Sequence, residues 1–248
     1  MMMKINVNGQ LREAHAGESI LDLCRREGIL IPTFCYHQAF GGQGACRMCM
    51  VEIREEGQSR SRMVAACTYP LTKPAEITTE SEQILRIRRT IAMLLARRAD
   101  NNPLLEEMCQ NYGALRLPAI SVEPANCILC GLCIHACTEM GKSAIWSMFR
   151  GVDKRIATPY DEASDECMGC AACARVCPTQ AIKVEEEGAV RRIWNKSFAL
   201  VACTRCGKPY ATSDELDYLH QHGDFGQEKL CEACRKKMLA ASMQTFQA

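Results

Sequence analysis

The sequence predicts an α+β chain divided into several small segments. Three observations carry that prediction: short strand patterns through the first eighty residues, a helical stretch after them, and cysteines gathered into separate groups along the chain. At 248 residues the chain is long enough for one large domain or roughly two to four small ones. It holds 18 cysteines and only 6% aromatic residues, so aromatic packing is not its main source of cohesion. A cysteine content this high fits either a disulfide scaffold or a metal protein.

Several features favour metal. The opening "MMMKINVNGQ" has no apolar core of a secretory signal, and Arg25-Arg26 falls inside a helical pattern rather than ahead of one. The longest apolar runs, such as "IAMLLA" at 91–96, are too short to span a bilayer. A cytoplasmic location is therefore expected, where reduced C-x-x-C units act as metal ligands. The formal net charge of +1, with both signs intermixed, argues against nucleic acid or an anionic membrane as partner.

"KINVNG" and "LREAHAG" read as two strands joined by an Asn-Gly turn. "GESILDLCRREGI" reads as a helix, with Ser19 as N-cap and Gly28 as its stop. Strands follow at 48–53, 62–68 and 75–81. "SEQILRIRRTIAMLLARRADNNP" carries an amphipathic helix pattern, and "PLLEEMCQNYG" a second, shorter one. Cysteine-rich lines occupy the chain from "VEPANC" to about residue 186. A strand-like piece, "AVRRIWNKSFALVAC", leads into a tail that ends in a fraying helix, "MLAASMQTFQA".

The first cysteine group is Cys35, Cys46, Cys49 and Cys67, spaced C-x10-C-x2-C-x17-C. Three of them sit in a loop containing Gly41, Gly42 and Gly44. Glycine lets a backbone pass close to a cluster and aim N–H groups at its sulfurs. The order of strands, helix and cysteine loop favours a [2Fe–2S] site, a variant of the plant-type spacing, over zinc.

The second group is a pair of lines, "CILCGLCIHAC" and "CMGCAACARVCP", each spaced C-x2-C-x2-C-x3-C. In such a pair the fourth cysteine of each line completes the cluster of the other. Cys127, Cys130, Cys133 and Cys177 are thus expected to hold one [4Fe–4S] cluster, and Cys167, Cys170, Cys173 and Cys137 the second. Thr138 replaces the proline that follows Cys177 in the other line. The stretch "SAIWSMFRGVDKRIATPYDEASDE" between the lines is read as an insertion that serves docking.

The third group is Cys203, Cys206, Cys231 and Cys234, two C-x2-C pairs close to a zinc-ribbon pattern. Zinc is the first expectation, with mononuclear iron or a third [4Fe–4S] cluster as alternatives. His220 and His222 lie between the pairs and are read as exposed non-ligands. Cys24 reads as a small core residue.

The order [2Fe–2S] loop, helical segment, double cysteine line resembles the diaphorase iron–sulfur subunit of NAD-linked hydrogenases. It is equally similar to the N-terminal part of the complex I large iron–sulfur subunit, and the likeness covers roughly residues 3–186. It implies an N-terminal β-grasp [2Fe–2S] ferredoxin-like domain at 1–82, a helical linker at 83–118 and a two-cluster [4Fe–4S] ferredoxin domain at 119–186; the third cysteine group marks a separate four-cysteine metal-binding tail at 187–248, outside that family pattern. That family carries a further [4Fe–4S] site in its helical segment, held by one histidine and three cysteines. Residues 81–126 contain no histidine and only Cys109, so that cluster is expected to be absent, with Cys109 its vestige. The tail resembles four-cysteine tails on ferredoxin-like subunits of hydrogenase and formate hydrogenlyase complexes.

No dinucleotide fingerprint, P-loop or hydrolase motif accompanies the cysteines; "GGQG" at 41–44 belongs to the cluster loop. The expected function is therefore non-catalytic: an electron-transfer subunit of a multisubunit, NAD(P)H-linked oxidoreductase. It would relay single electrons between a flavin/NAD(P)H-binding subunit and a second redox catalytic subunit of hydrogenase or formate dehydrogenase type. The alternative is a free-standing soluble polyferredoxin.

Overall fold

A computed structural model describes residues 2–120, 125–223 and 228–244. They fall into two compact units. One comprises the residues up to His135 with Ser147–Ile156 and Val176–Ala181; the other comprises Ala136–Trp146, Ala157–Arg175 and the chain from Ile182 onward.

In the first unit, Met2–Val7 (β1) and Gln10–His15 (β2) pair antiparallel across the Asn8-Gly9 turn, where both residues have positive φ. Ile20–Arg26 (α1) follows. Ser19 caps it by accepting the Asp22 N–H, and Gly28 beyond its end has φ +72°. The helix buries Ile20, Leu21, Leu23 and Cys24, each aliphatic side chain stabilising the fold by about 1.5–3 kcal/mol. Its first N–H groups also tie down the chain on both sides of Cys67, since Ile20 and Leu21 donate to the Tyr69 and Ala66 carbonyls.

Tyr36–His37 (β3) and Gly41–Gly42 (β4) make a small ribbon within the cysteine loop. Met50–Glu55 (β5), Arg62–Ala65 (β6) and Ala75–Thr78 (β7) complete a five-stranded sheet in the order β2-β1-β7-β5-β6. The β1–β7 pair is parallel and the other pairs are antiparallel, which gives the β-grasp arrangement. Glu82–Arg98 (α2) starts at the Ser81 cap, and Pro103–Tyr112 (α3) starts with proline in its first turn and ends at Gly113 in the left-handed region. Cys24 is fully buried, as a core residue should be. Cys109 is buried as well and donates weakly to the Ala92 carbonyl of α2.

Leu132–Glu139 (α4) carries Cys133 and Cys137 one turn apart. Beyond it, Trp146–Met148 (β8) and Arg155–Ala157 (β9) form a two-stranded ribbon in the insertion, where Trp146, Phe149, Val152 and Tyr160 are exposed. In the second unit, Ala172–Arg175 (α5) carries Cys173. The strand-like piece of the sequence folds as a meander of Glu185–Glu187 (β10), Val190–Ile193 (β11) and Lys196–Ala199 (β12). Val201–Ala202 (β13) pairs with Pro209–Ala211 (β14), Ser213–His222 (α6) follows, and Glu232–Gln244 (α7) closes the described chain. The expected fraying of the last helix concerns residues 245–248, which lie outside the described residues.

Candidate metal centres

The first site is built where the cysteine loop meets the start of β5. The Cys35 and Cys46 sulfurs are 3.3 Å apart, and backbone N–H groups of Phe34 and Cys46 point at them, each at 3.4 Å. All four cysteines are buried in the main hydrophobic core. Their protons are shared unevenly. The S–H groups of Cys46 and Cys67 push Cys35 well below the usual thiol range, and Cys67 outweighs burial to bring Cys49 down to about 7. Cys46 and Cys67 are raised in return. Four buried thiolates need a cationic centre to shed the remaining protons, which is what an iron cluster supplies.

Gly42 passes directly over Cys67: a Cβ there would lie 2.4 Å from the Cys67 Cβ and 2.8 Å from its sulfur. Arg88 sits behind the site. Its guanidinium is buried and donates to the carbonyls of Met48, Met50 and Thr79, all at 3.1 Å, so it brackets Cys49 with a fixed charge. Sequence reasoning missed Arg88, yet a signal was present: Ile84, Arg88, Ala92 and Ala96 share the buried i, i+4 stripe of α2.

The two cysteine lines repeat one backbone shape. Leu129 and Gly131 have positive φ in the first; Gly169 and Ala171, at the same offsets from Cys167, have it in the second. A glycine and a larger residue exchange places between them, so the turn geometry is set by the cysteine spacing rather than by glycine alone. The first unit contains Cys127, Cys130, Cys133 and Cys177. Burial raises Cys127 and pushes Cys130 up to about 12, with charge at Cys177 adding to both. The Ala181 N–H donates to the Cys177 sulfur at 3.2 Å, and Arg98 donates to the Cys127 and Lys154 carbonyls.

The second unit contains Cys137, Cys167, Cys170 and Cys173, and all four line a single small cavity with Ile145, Met168, Ile193 and Trp194. Burial raises Cys167, Cys170 and Cys173, the last to about 12, against the Trp194 N–H, which donates to its sulfur at 3.4 Å. Cys137 thus shares a cavity with the first three cysteines of the second line, and charge at Cys177 reaches Cys127 and Cys130 of the first. Sulfur-only donor sets with N–H groups aimed at them fit [4Fe–4S] clusters.

In the tail, the sulfurs of Cys203, Cys206, Cys231 and Cys234 all lie within 4.8 Å of one another, the only such set among the described residues. Cys206 and Cys231 are 3.7 Å apart, close to the edge of about 3.8 Å that follows from tetrahedral Zn–S bonds of about 2.3 Å. A cubane binds each ligand to a different iron and needs wider spacing. Gly207, at φ +73°, donates to the Cys203 carbonyl and shapes the knuckle, while the Cys231 N–H reaches the Cys203 sulfur at 3.4 Å. That N–H, together with those of Arg205 and Cys206, outweighs desolvation and brings Cys203 down to about 6, favouring thiolate. His220 and His222 are exposed on α6.

Comparison with known proteins agrees with this layout. Residues 1–82 match the 2Fe-2S iron-sulfur cluster binding domain family, and residues 120–184 the 4Fe-4S dicluster domain family. An NADH-quinone oxidoreductase subunit of Rhizobium meliloti is 28% identical over 251 residues, covering 90% of this chain and 28% of its own. NADPH-Fe(3+) oxidoreductase subunit alpha of Geobacter sulfurreducens is 29% identical over 250 residues, with the same coverage of both chains. The chain therefore spans little more than a quarter of the length of these relatives. Coverage of 90% is more than residues 3–186 make up, so the likeness runs into the tail, past the limit expected from the motifs. A chain from the crystal structure of an NAD+-reducing [NiFe]-hydrogenase in the H2-reduced state shares the fold, with a TM-score of 0.61 at 24% identity over 71% of this chain and 85% of that one. Among the described residues no helix is long and apolar enough to cross a membrane. The chain thus matches the 2Fe-2S iron-sulfur cluster binding domain family followed by the 4Fe-4S dicluster domain family, and over 90% of its length it is similar to a subunit of an NADH-quinone oxidoreductase.

Proposed function

We propose that the chain is the electron-relay part of a multisubunit, NAD(P)H-linked oxidoreductase. In this reading Cys35, Cys46, Cys49 and Cys67 hold one [2Fe–2S] cluster. Cys127, Cys130, Cys133 and Cys177 hold one [4Fe–4S] cluster, Cys137, Cys167, Cys170 and Cys173 hold another, and the tail cysteines hold one zinc. The bound clusters supply one-electron transfer; the protein positions them, excludes water and tunes them through hydrogen bonds to sulfur.

The observation that carries the reading is the closeness of the first two sites. Cys130 is buried in the same hydrophobic core as the first cysteine set, and charge on Cys35 is felt at Cys130. Electrons can then pass between these sites without a cluster in the helical segment, where Cys109 fills packing space in place of a ligand set. Nicotinamide cofactors deliver electrons in pairs, so a flavin on another subunit is needed to divide them. The exposed Phe149 and Val152 of the insertion offer apolar surface for such a partner or for a second catalytic subunit of hydrogenase or formate dehydrogenase type.

Metal analysis with electron paramagnetic resonance on anaerobically purified chain tests the cofactor content. About ten irons and one zinc are expected from these cluster types. About fourteen irons without zinc would overturn the tail assignment. Purification of the native assembly tests the partners: a flavin-bearing subunit should accompany the chain, and a lone monomer shuttling electrons would make it a mobile carrier instead.

A further inference from the structure

The hairpin of β11 and β12 lies beyond residue 184, outside the matched dicluster segment. Even so, it is hydrogen-bonded to the second cysteine line and to the residues just ahead of it. Asn195 donates to the Asp161 carbonyl at 2.9 Å, and Lys196 donates to the carbonyls of Ser164 at 3.0 Å and Cys167 at 3.1 Å. Arg191 donates to the Gly169 carbonyl at 2.7 Å. Phe198 lies so close over Gly169 that a Cβ there would come within 2.6 Å of its ring. Ile193 and Trp194 line the cavity that Cys137, Cys167, Cys170 and Cys173 surround.

The turn of the hairpin is strained toward this contact. Ile193 pairs with Lys196, leaving Trp194 and Asn195 as a two-residue turn with φ of +52° and +59°. Two positive φ values define a type I′ turn, normally made by Asn and Gly, and a bulky side chain is disfavoured in the left-handed region. What that strain obtains is the indole N–H aimed at the Cys173 sulfur, 3.4 Å away.

From this geometry we infer that the hairpin is a working part of the second [4Fe–4S] site, and that Trp194 and Lys196 raise the reduction potential of the cluster held there, a proposal that rests on the relay reading above. An N–H bond to a ligand sulfur withdraws electron density and favours the reduced cluster, whose sulfurs carry more negative charge. The Lys196 ammonium acts in the same direction. It is half-buried, bonds only backbone carbonyls and the face of Phe198, and has no carboxylate partner among the described residues. Arg191 contributes little net charge, because Glu186 and Glu215 pair with it. Trp194 and Lys196 are thus positioning residues that set where the electron rests.

The test is potentiometric electron paramagnetic resonance on the full chain with its metals, comparing wild type with Trp194→Phe, Lys196→Gln and Lys196→Arg. The Cys170→Ala variant identifies which signal belongs to the second site. The inference expects that signal alone to move to lower potential in Trp194→Phe and Lys196→Gln, with Lys196→Arg close to wild type and the other clusters unmoved. An unshifted second signal in both variants, or an equal shift of every cluster, would overturn it. Should Trp194→Phe lose its cluster, seen as a drop of about four irons, the Lys196 pair decides by the same criterion. Absence of any [4Fe–4S] signal from the wild-type chain would instead bring down the relay reading itself, and the inference with it.

Discussion

Gly42 packs against Cys67 with no room for a side chain: any Cβ on the glycine would come within 2.4 Å of the cysteine's own and 2.5 Å of its carbonyl oxygen. Gly42→Ala must therefore push the cysteine loop away from the sulfur it covers. Overpacking of this kind costs about 1–3 kcal/mol. The expected outcome is loss of the [2Fe–2S] signal with both [4Fe–4S] signals kept, read by visible absorbance and paramagnetic resonance.

Arg88 donates to three buried carbonyls, those of Met48, Met50 and Thr79. Arg88→Met strands them, and each unsatisfied buried polar group costs about 1–3 kcal/mol. Denaturant unfolding should show a loss of about 3–5 kcal/mol. Arg88→Lys should recover only part of it, since a single ammonium cannot reproduce a planar fork spread over three acceptors.

The paired turns of the two cysteine lines permit a reciprocal experiment. Ala171 stands at φ +57°, whereas Gly131, at the same offset in the first line, has open space where a Cβ would go. Ala171→Gly should stabilise the fold and Gly131→Ala destabilise it, each by about 1 kcal/mol. Thermal melts that move in the same direction for both substitutions would contradict this.

Glu18 gives a pH signature. Burial opposes its ionisation, but the Arg26 guanidinium and the His15 N–H outweigh burial and hold its carboxyl below the ordinary 4.5. A carboxyl depressed in the folded state contributes stability that is fully present above the unfolded value and fades as pH falls through the folded one. The melting gap between wild type and Glu18→Gln should be constant around neutral pH and shrink as pH falls below the ordinary carboxyl value of 4.5 and through the lower folded one. The ion pair is partly exposed, so the gap itself should be small.

On the proposed zinc assignment of the tail, metal removal should act locally. The half-exposed geometry of the tail, with Cys206 at the surface and the other three sulfurs buried, leaves one ligand open to a competing chelator. Treatment with a strong chelator should release one zinc, loosen α7 in hydrogen exchange and leave the iron content unchanged. Cys206→Ser should reproduce the effect.

Much of this was legible in the sequence because metal ligands obey spacing rules that survive any rearrangement of the surrounding chain. The cysteine spacings, the Ser19 cap and the Asn8-Gly9 turn are all local patterns, and the structure has the cap and the turn where the sequence puts them. Long-range partnerships left no such trace. Nothing local marks Trp194 as a donor to Cys173, since the two are 21 residues apart and a tryptophan in a left-handed turn defies propensity. Leu129 and Ala171 are likewise unreadable as positive-φ positions, because glycine is the only residue that advertises them. Arg88 lay between the two cases, visible as a charge on an apolar stripe but without a hint of which carbonyls it would find.

The exchange of fourth cysteines also has a consequence for biosynthesis. On the proposed ligand sets, Cys127, Cys130 and Cys133 leave the ribosome early, but their site is incomplete until Cys177 follows. At about 5–20 residues per second, the partial site waits several seconds with an open corner. The other site opens with Cys137 and closes only at Cys173, so the two windows overlap. A donor that delivers clusters to the nascent chain would therefore meet both sites ready at nearly the same moment, once Cys177 has cleared the ribosome.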